Sequence, residues 1–184
     1  MMDRDEGIKL LKQYLGNENL IKHSLAVEAI LQEMARSLDK DKELWALTGL
    51  LHDLDYEYTK ENPEKHATIT AEILKELLPD EAIHAIKAHN YQHTMQIPET
   101  YLDKALIAAD AVSGLIIAAA LVMPSKKLAD VKPTTLHNKY KDKSFAAGCN
   151  RKKIDLCEDV GLERDKFLEL SLTALKNIAD QLDL

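Results

Sequence analysis

With 184 residues, 46% of them hydrophobic and 30% charged, the chain has the make-up of one soluble globular domain, long enough to bury a core without disulfides. Its formal charge of −7 argues against general nucleic-acid binding, because a phosphate backbone is repelled at long range. Two cysteines, Cys149 and Cys157, exclude a zinc ribbon or a disulfide framework and suit a reducing compartment. The opening residues Met1–Glu6 are polar, without the apolar stretch of a signal peptide, so a cytoplasmic location is expected.

Helical periodicity recurs along nearly the whole chain. Residues 3–15 carry Ile8, Leu11 and Leu15 on one face and predict a short helix ended by Gly16 and Asn17. Asn17 is a good N-cap for a long helix to about Leu38, whose stripe of Leu20, Ser24, Val27, Ile30, Leu31 and Met34 also carries His23. Asp39 or Asp41 caps the next helix, with Leu44, Leu47, Leu50, Leu51 and Leu54 inward. Tyr56 to Pro63 reads as a loop. A helix from Pro63 or Glu64 to Leu78 follows, with Ile69, Ile73, Leu74 and Leu77 inward, and Pro79-Asp80 restarts a short one to about His89.

Ala105–Met123 is the longest apolar run, broken by Asp110 alone among charged residues. As a helix its 19 residues would span about 28 Å, just enough for a bilayer. It is rich in Ala rather than Leu and Phe and stands alone in a polar chain, so a buried central helix is the better reading. Pro124 ends it. Short helices near 134–141 and from Arg151 to Gly161, then one from Glu163 to about Leu182, complete the chain. No run alternates with period two for long enough to make a strand. The expectation is an all-α single domain over 1–184, with its core in about 17–123 and a helical extension in about 124–184. Residues 124–153 hold nine Lys and Arg against Asp130 and Asp142; this basic run is either a solvated face or a wall for an anionic ligand.

His23, the adjacent pair His52-Asp53, and Asp110 each lie on or beside the apolar stripe of a separate predicted helix. Unpaired carboxylates are costly to bury. A divalent metal shared by imidazole nitrogens and carboxylate oxygens removes that cost for all of them together. Gly49 lies one turn before Asp53 and Gly114 one turn after Asp110. Gly costs about 1 kcal/mol relative to Ala inside a helix, so both are expected where backbones approach closely.

The order His23, His52-Asp53, Asp110 resembles the H…HD…D signature of the HD-domain superfamily of metal-dependent phosphohydrolases. Ala109-Asp110-Ala111-Val112-Ser113-Gly114 is similar to the family's last ligand helix. His66-Ala67-Thr68-Ile69-Thr70 and Ala88-His89-Asn90 resemble the additional His-bearing segments of its binuclear members, which often have a second His where Asn90 stands. The resemblance implies a helical bundle with a metal site between its central helices. It also implies one or two divalent ions (Mn, Fe, Ni, Co or Zn, with Mg a further candidate). His23, His52, Asp53, His66, His89 and Asp110 would be the ligands. Asp53 would bridge, His23, His52 and Asp110 would hold one ion, and His66 and His89 would complete the other. Asp53 and His52 would form the catalytic centre, and metal-activated water would hydrolyse a small phosphate mono- or diester, nucleotides included. Two alternatives share the ligand set: a mixed-valent di-iron oxygenase of the same fold, and a non-catalytic domain that binds a nucleotide at its metal site.

The chain departs from the family where the doublet continues Leu54-Asp55-Tyr56 instead of Ile-Gly-Lys. The lysine that could meet a phosphate there is absent, and Lys126, Lys127 and Arg151 are the expected substitutes. Asp55 and Glu57 are candidate proton carriers, with a solvated loop position the favoured reading for both. His93 follows His89 by one helical turn but lies beyond the expected helix end, and His84 and His137 are expected at the surface. No membrane partner or nucleic-acid groove is expected, and the oligomeric state is left open.

Overall fold

The structure, a computed structural model, describes residues 2–184. Among them no strand occurs. Helix α1 (Arg4–Tyr14) starts from Asp3, whose side chain accepts the Glu6 N–H while Glu6 reaches back to Asp3 in a reciprocal cap. Asn17 caps α2 (Glu18–Ser37), and Asp41 rather than Asp39 caps α3 (Lys42–Leu51) by accepting the N–H groups of Glu43 and Leu44. From Leu44 onward every residue of α3 is buried, which marks it as a central element rather than an amphipathic surface helix. The remaining helices are α4 (Tyr56–Thr59), α5 (Thr68–Leu74), α6 (Asp80–His89), α7 (Tyr91–Thr94), α8 (Tyr101–Leu121), α9 (Pro133–Lys141), α10 (Arg151–Asp159), α11 (Arg164–Asn177) and α12 (Ala179–Leu182). A 3₁₀ turn at Leu128–Asp130 lies between α8 and α9.

Helix α8 is long and apolar enough to cross a membrane, yet it packs against α2, α6 and α10. It begins four residues before the apolar run because Thr100 and Asp103 form a second reciprocal cap. Asp103 is fully buried, and besides serving that cap it pairs with His84 Nδ1 at 3.0 Å, while His84 Nε2 meets the Gln96 amide at 2.7 Å. His84 is therefore a part-buried tie between α6, the 95–100 segment and α8, contrary to the surface position expected for it. His137 is also partly buried.

The segment after the doublet differs most from expectation. Tyr56–Thr59 is a short helix, and α5 starts five residues beyond Pro63 with its inward face rotated toward Thr70 and Ala71, keeping Leu74 buried and Ile73 partly buried as expected but not Ile69 or Leu77. Thr70, Ala71 and Leu74 are buried, whereas Ile69 and Leu77 are 39% and 36% exposed. The cause is polar. Asp55 accepts the Thr70 N–H at 2.9 Å, and Thr70 Oγ1 accepts the Asp55 N–H at 3.0 Å, which fixes Thr70 toward the core and rotates its neighbours outward. The final helix is likewise interrupted, at Ile178.

The C-terminal extension is held by one arginine. The Arg151 guanidinium donates to the carbonyl oxygens of Lys139, Tyr140, Asp142, Phe145, Ala146 and Cys149 at 2.6–3.2 Å. Its five N–H groups are thereby consumed in folding the 142–150 loop onto the start of α10.

The two helical glycines play opposite parts. A Cβ on Gly49 would lie 2.9 Å from the Val27 carbonyl oxygen and 3.0 Å from the Glu28 nitrogen, so α3 sits directly on the α2 backbone, as expected. An added Cβ on Gly114 meets nothing within 4 Å, which overturns the close-packing reading there. Gly49→Ala is predicted to lower stability by about 2 kcal/mol through overpacking, and Gly114→Ala to raise it by about 0.5–1 kcal/mol. Thermal melts of the two variants check this; a tolerated Gly49→Ala would contradict the contact.

Candidate metal centre

Four helices deliver the site. His23 lies in the second turn of α2, His52 caps the C-terminus of α3 with Asp53 next to it, His89 is the last residue of α6, and Asp110 is midway along α8. His66 comes from the turn before α5, where Ala67 takes a left-handed conformation at φ 71°. Asn90 fixes that turn by donating to the carbonyls of Pro63 and His66 at 3.0 and 2.9 Å.

The carboxylate of Asp53 is the hub. Its Oδ1 lies 3.4, 3.4 and 3.3 Å from Nε2 of His52, His66 and His89, and its Oδ2 lies 3.7 Å from His23 Nε2. His23 Nε2 is 3.2 Å from Asp110 Oδ1, and the Nε2 atoms of His66 and His89 are 3.0 Å apart. All six residues singled out in the sequence are thus brought together.

The far nitrogen of each ring explains why the near ones converge. Nδ1 of His52 faces the Gly49 carbonyl at 2.8 Å, that of His89 faces the Ile86 carbonyl, and that of His66 faces Asp55 Oδ1 at 2.8 Å. Nδ1 of His23 faces Ser113 Oγ at 3.3 Å, whose own proton goes to the Asp110 carbonyl at 2.8 Å. Every Nδ1 meets an acceptor, an arrangement that favours the N–H on Nδ1 and leaves Nε2 as the ligand atom when a cation binds. Orientation of imidazoles through the second nitrogen is the usual support of metal-ligating histidines. His52 Nε2 is buried with no hydrogen-bond partner among the described residues, a costly arrangement unless a cation satisfies it.

Spacing makes the same point. Two donors about 2.1 Å from a shared transition-metal ion lie about 3.0–3.4 Å apart at octahedral to tetrahedral angles, and the separations here run from 3.0 to 3.7 Å. Two groups form, His23–His52–Asp53 and Asp53–His66–His89, each with its ligand atoms within 4.8 Å of one another. Asp53 belongs to both, and Asp110 adjoins the first through His23.

The electrostatics favour cations at these atoms. Burial pushes the pKa of His52 down to about 4, so it is a neutral donor near pH 7. Burial works against ionisation of Asp53 and Asp110 as well. The imidazoles of His52, His89 and His23 nevertheless hold Asp53 well below the carboxylate range, and His23 draws Asp110 down to about 2. For His23 and His66, burial opposes charge, but Asp110 at the first and Asp55 at the second outweigh it and raise both.

The sequence reading missed Asp55. It is fully buried, and it orients His66 while taking the Thr70 N–H, so the solvated position favoured for it is corrected. It lies beyond the end of α3, where helical phase no longer reports direction. Glu57 is no solvated loop residue either, since its Oε2 accepts the Gly16 N–H at 2.6 Å. His93 is exposed and lines no part of the site.

The centre opens into a cleft with two lobes of about 410 and 570 Å³. Neither is lined by Lys126, Lys127 or Arg151. Lys127 Nζ instead faces the Asp183 carbonyl at 3.4 Å, Lys126 is exposed, and Arg151 is committed to the carbonyls of its own loop. The cation that lines both lobes is Lys153, a residue of the same basic run that the sequence did not distinguish from its neighbours.

An all-α bundle with this His/Asp centre defines a class of metal-dependent hydrolases, and comparison with known proteins identifies it. The HD domain matches residues 20–120, and the chain belongs to the HD-domain family. It is 35% identical over 140 residues to ribonuclease Y of Desulfotalea psychrophila (73% of this chain, 26% of the relative). It is 30% identical over 175 residues to ribonuclease Y of Clostridium perfringens (90% and 33%), and 38% identical over 98 residues to that of Chloroflexus aurantiacus (53% and 19%). The chain thus spans between 19% and 33% of the length of these curated relatives. No solved structure matches it.

Because His23 and His66 hold protons more tightly than free imidazole, a divalent ion must displace protons to bind. Its apparent affinity is predicted to be greatest well above the ordinary histidine value of about 6.5, and to fall by up to about tenfold per pH unit below it for each protonated ligand. Calorimetric titration with Mn²⁺ across that range measures this; a flat affinity would contradict the ligand set.

Proposed function

We propose that the chain hydrolyses a phosphate mono- or diester of nucleotide size, with water as the nucleophile and two divalent ions held by the His/Asp centre. The observation that carries this reading is Asp53. Its carboxylate is common to two groups of imidazole nitrogens, His23 with His52 and His66 with His89, at the floor of an open cleft with a lysine on the cleft wall. Held by His23, His52, Asp53, His66, His89 and Asp110, a divalent pair would supply positive charge to the phosphoryl oxygens and lower the pKa of water toward neutrality.

The chain's own residues do the holding. His52 is a neutral donor, it and His89 are oriented by backbone carbonyls, Asp55 and Ser113 orient His66 and His23, and Asp53 and Asp110 stay ionised to balance the cations. Among the described residues, no cysteine thiolate or serine hydroxyl free to act as a nucleophile lines the cleft. Cys149 lines it, but burial raises its thiol pKa and its Sγ–H donates to the Ala111 carbonyl at 2.9 Å. It is therefore a docking contact rather than a thiolate. The relatives are named as ribonucleases, which supports ester hydrolysis over oxygen activation at the same ligands. The lobe volumes lie in the range of small-molecule sites, which supports a compact substrate for this chain.

The test is turnover by metal-stripped protein reloaded with Mn²⁺, using p-nitrophenyl phosphate, bis-p-nitrophenyl phosphate, nucleoside monophosphates and dinucleotides. At least one ester is predicted to be hydrolysed, and Asp53→Ala to abolish both turnover and metal binding. Undiminished turnover by Asp53→Ala would overturn the reading.

A further inference from the structure

The two lobes of the cleft share three residues, His23, Asp110 and Lys153. The first two belong to the metal centre; Lys153 comes from α10. It sits in the first turn of α10, half-buried, and no ion-pair or hydrogen-bond partner for its Nζ occurs among the described residues. Among the other cations of the basic run, Lys127 faces a carbonyl, Lys139 lies over the Phe145 ring at 4.2 Å and Arg151 is surrounded by carbonyls, while Lys126, Lys132, Lys141, Lys143 and Lys152 are exposed and line neither lobe. A half-buried cation without a counterion, facing a cleft beside two carboxylates, is oriented toward something that arrives from solution.

Its base is rigid. Arg151 gathers the 142–150 loop, Asn150 caps α10 by accepting the Lys152 N–H at 3.0 Å, and Cys149 pins the loop to the Ala111 carbonyl, one residue past Asp110. Beyond Lys153 the larger lobe is walled by small residues, Ala111 and Gly114 of α8 and Ala146 and Gly148 of the loop. An added Cβ at Gly114 or Gly148 would meet nothing within 4 Å. A glycine inside α8 costs about 1 kcal/mol, and no packing contact offsets it; what it preserves is space in the lobe.

We propose that Lys153 binds the phosphate of the substrate across from the metal centre, and that the lobe lined by Ala111, Gly114, Ala146 and Gly148 takes the organic group esterified to it. This rests on the phosphoester reading above and narrows its substrate to an ester with a nucleoside-sized group. Lys153 thus fills the role of the lysine missing after the His52-Asp53 doublet. Tyr56 stands at that position instead, with its ring edge-on to His66 at 5.4 Å.

The experiment measures binding of inorganic phosphate and of adenosine monophosphate to the Mn²⁺-loaded protein by calorimetry, beside turnover of the ester panel. Lys153→Gln is expected to weaken both ligands by about tenfold or more, the loss of one charge-assisted contact, with Mn²⁺ stoichiometry unchanged. Lys153→Arg is expected to restore most of the affinity, and the exposed neighbour Lys152→Gln to stay within about twofold of the parent. Gly114→Leu is expected to weaken adenosine monophosphate and spare inorganic phosphate. Parent-like phosphate binding in Lys153→Gln, or no phosphate binding by the parent, overturns the proposal even if esters are hydrolysed. Binding that depends on Lys153 without turnover of any ester supports the site and sinks the hydrolase reading instead.

Discussion

Everything in this fold answers to one constraint, the burial of the Asp53 carboxylate among four imidazoles. An ionised group that is 7% exposed is tolerable only if positive charge faces it, and three of the four imidazoles arrive from α2, α6 and the turn before α5. Those elements must therefore converge on the end of α3. Gly49 permits one of these approaches, that of α3 to α2. With α3 lying on the α2 backbone at Val27 and Glu28, His23 reaches both Asp53 and Asp110. The apolar packing of the bundle and the polar demands of the site are met by the same helix contacts.

A second layer fixes the first. Two of the Nδ1 acceptors are carbonyls three residues back in the same helix, Gly49 for His52 and Ile86 for His89. Such acceptors are available because the last carbonyls of a helix have no intrahelical partner. Both histidines sit at helix C-termini, so the helix ends supply the orientation without another side chain. His66 has no helix end behind it and relies on Asp55, which also determines the face that α5 turns inward. The C-terminal extension then forms the outer wall, gathered by Arg151 and docked on α8 beside Asp110.

How much of this could be read from the sequence follows from what each signal reports. The caps at Asn17 and Asp41 were legible because a polar residue before an apolar periodic run has one local meaning. His23 and Asp110 were legible from helical phase, and His66 and His89 from family resemblance. Asp55 was not, because α3 ends before it and a turn carries no periodicity. The faces of α5 were misjudged for a related reason, since a buried Thr–Asp pair overrode the apolar pattern. Gly49 and Gly114 look alike in sequence; one admits a neighbouring backbone and the other leaves room in a cleft. Likewise the basic run shows how many cations are present, but not that Arg151 is spent on carbonyls while Lys153 faces the site.

The central claim is that the tied far nitrogens hold the near ones in place, so that divalent ions would be held by the two groups that share Asp53. Its most direct test is the Mn²⁺ stoichiometry of the metal-stripped parent and of Asp55→Ala, measured at ion concentrations that saturate the parent. The account predicts two ions in the parent, and one in Asp55→Ala because His66 loses its anchor. A parent that binds fewer than two, or an Asp55→Ala variant that binds two with unchanged affinity, would contradict it.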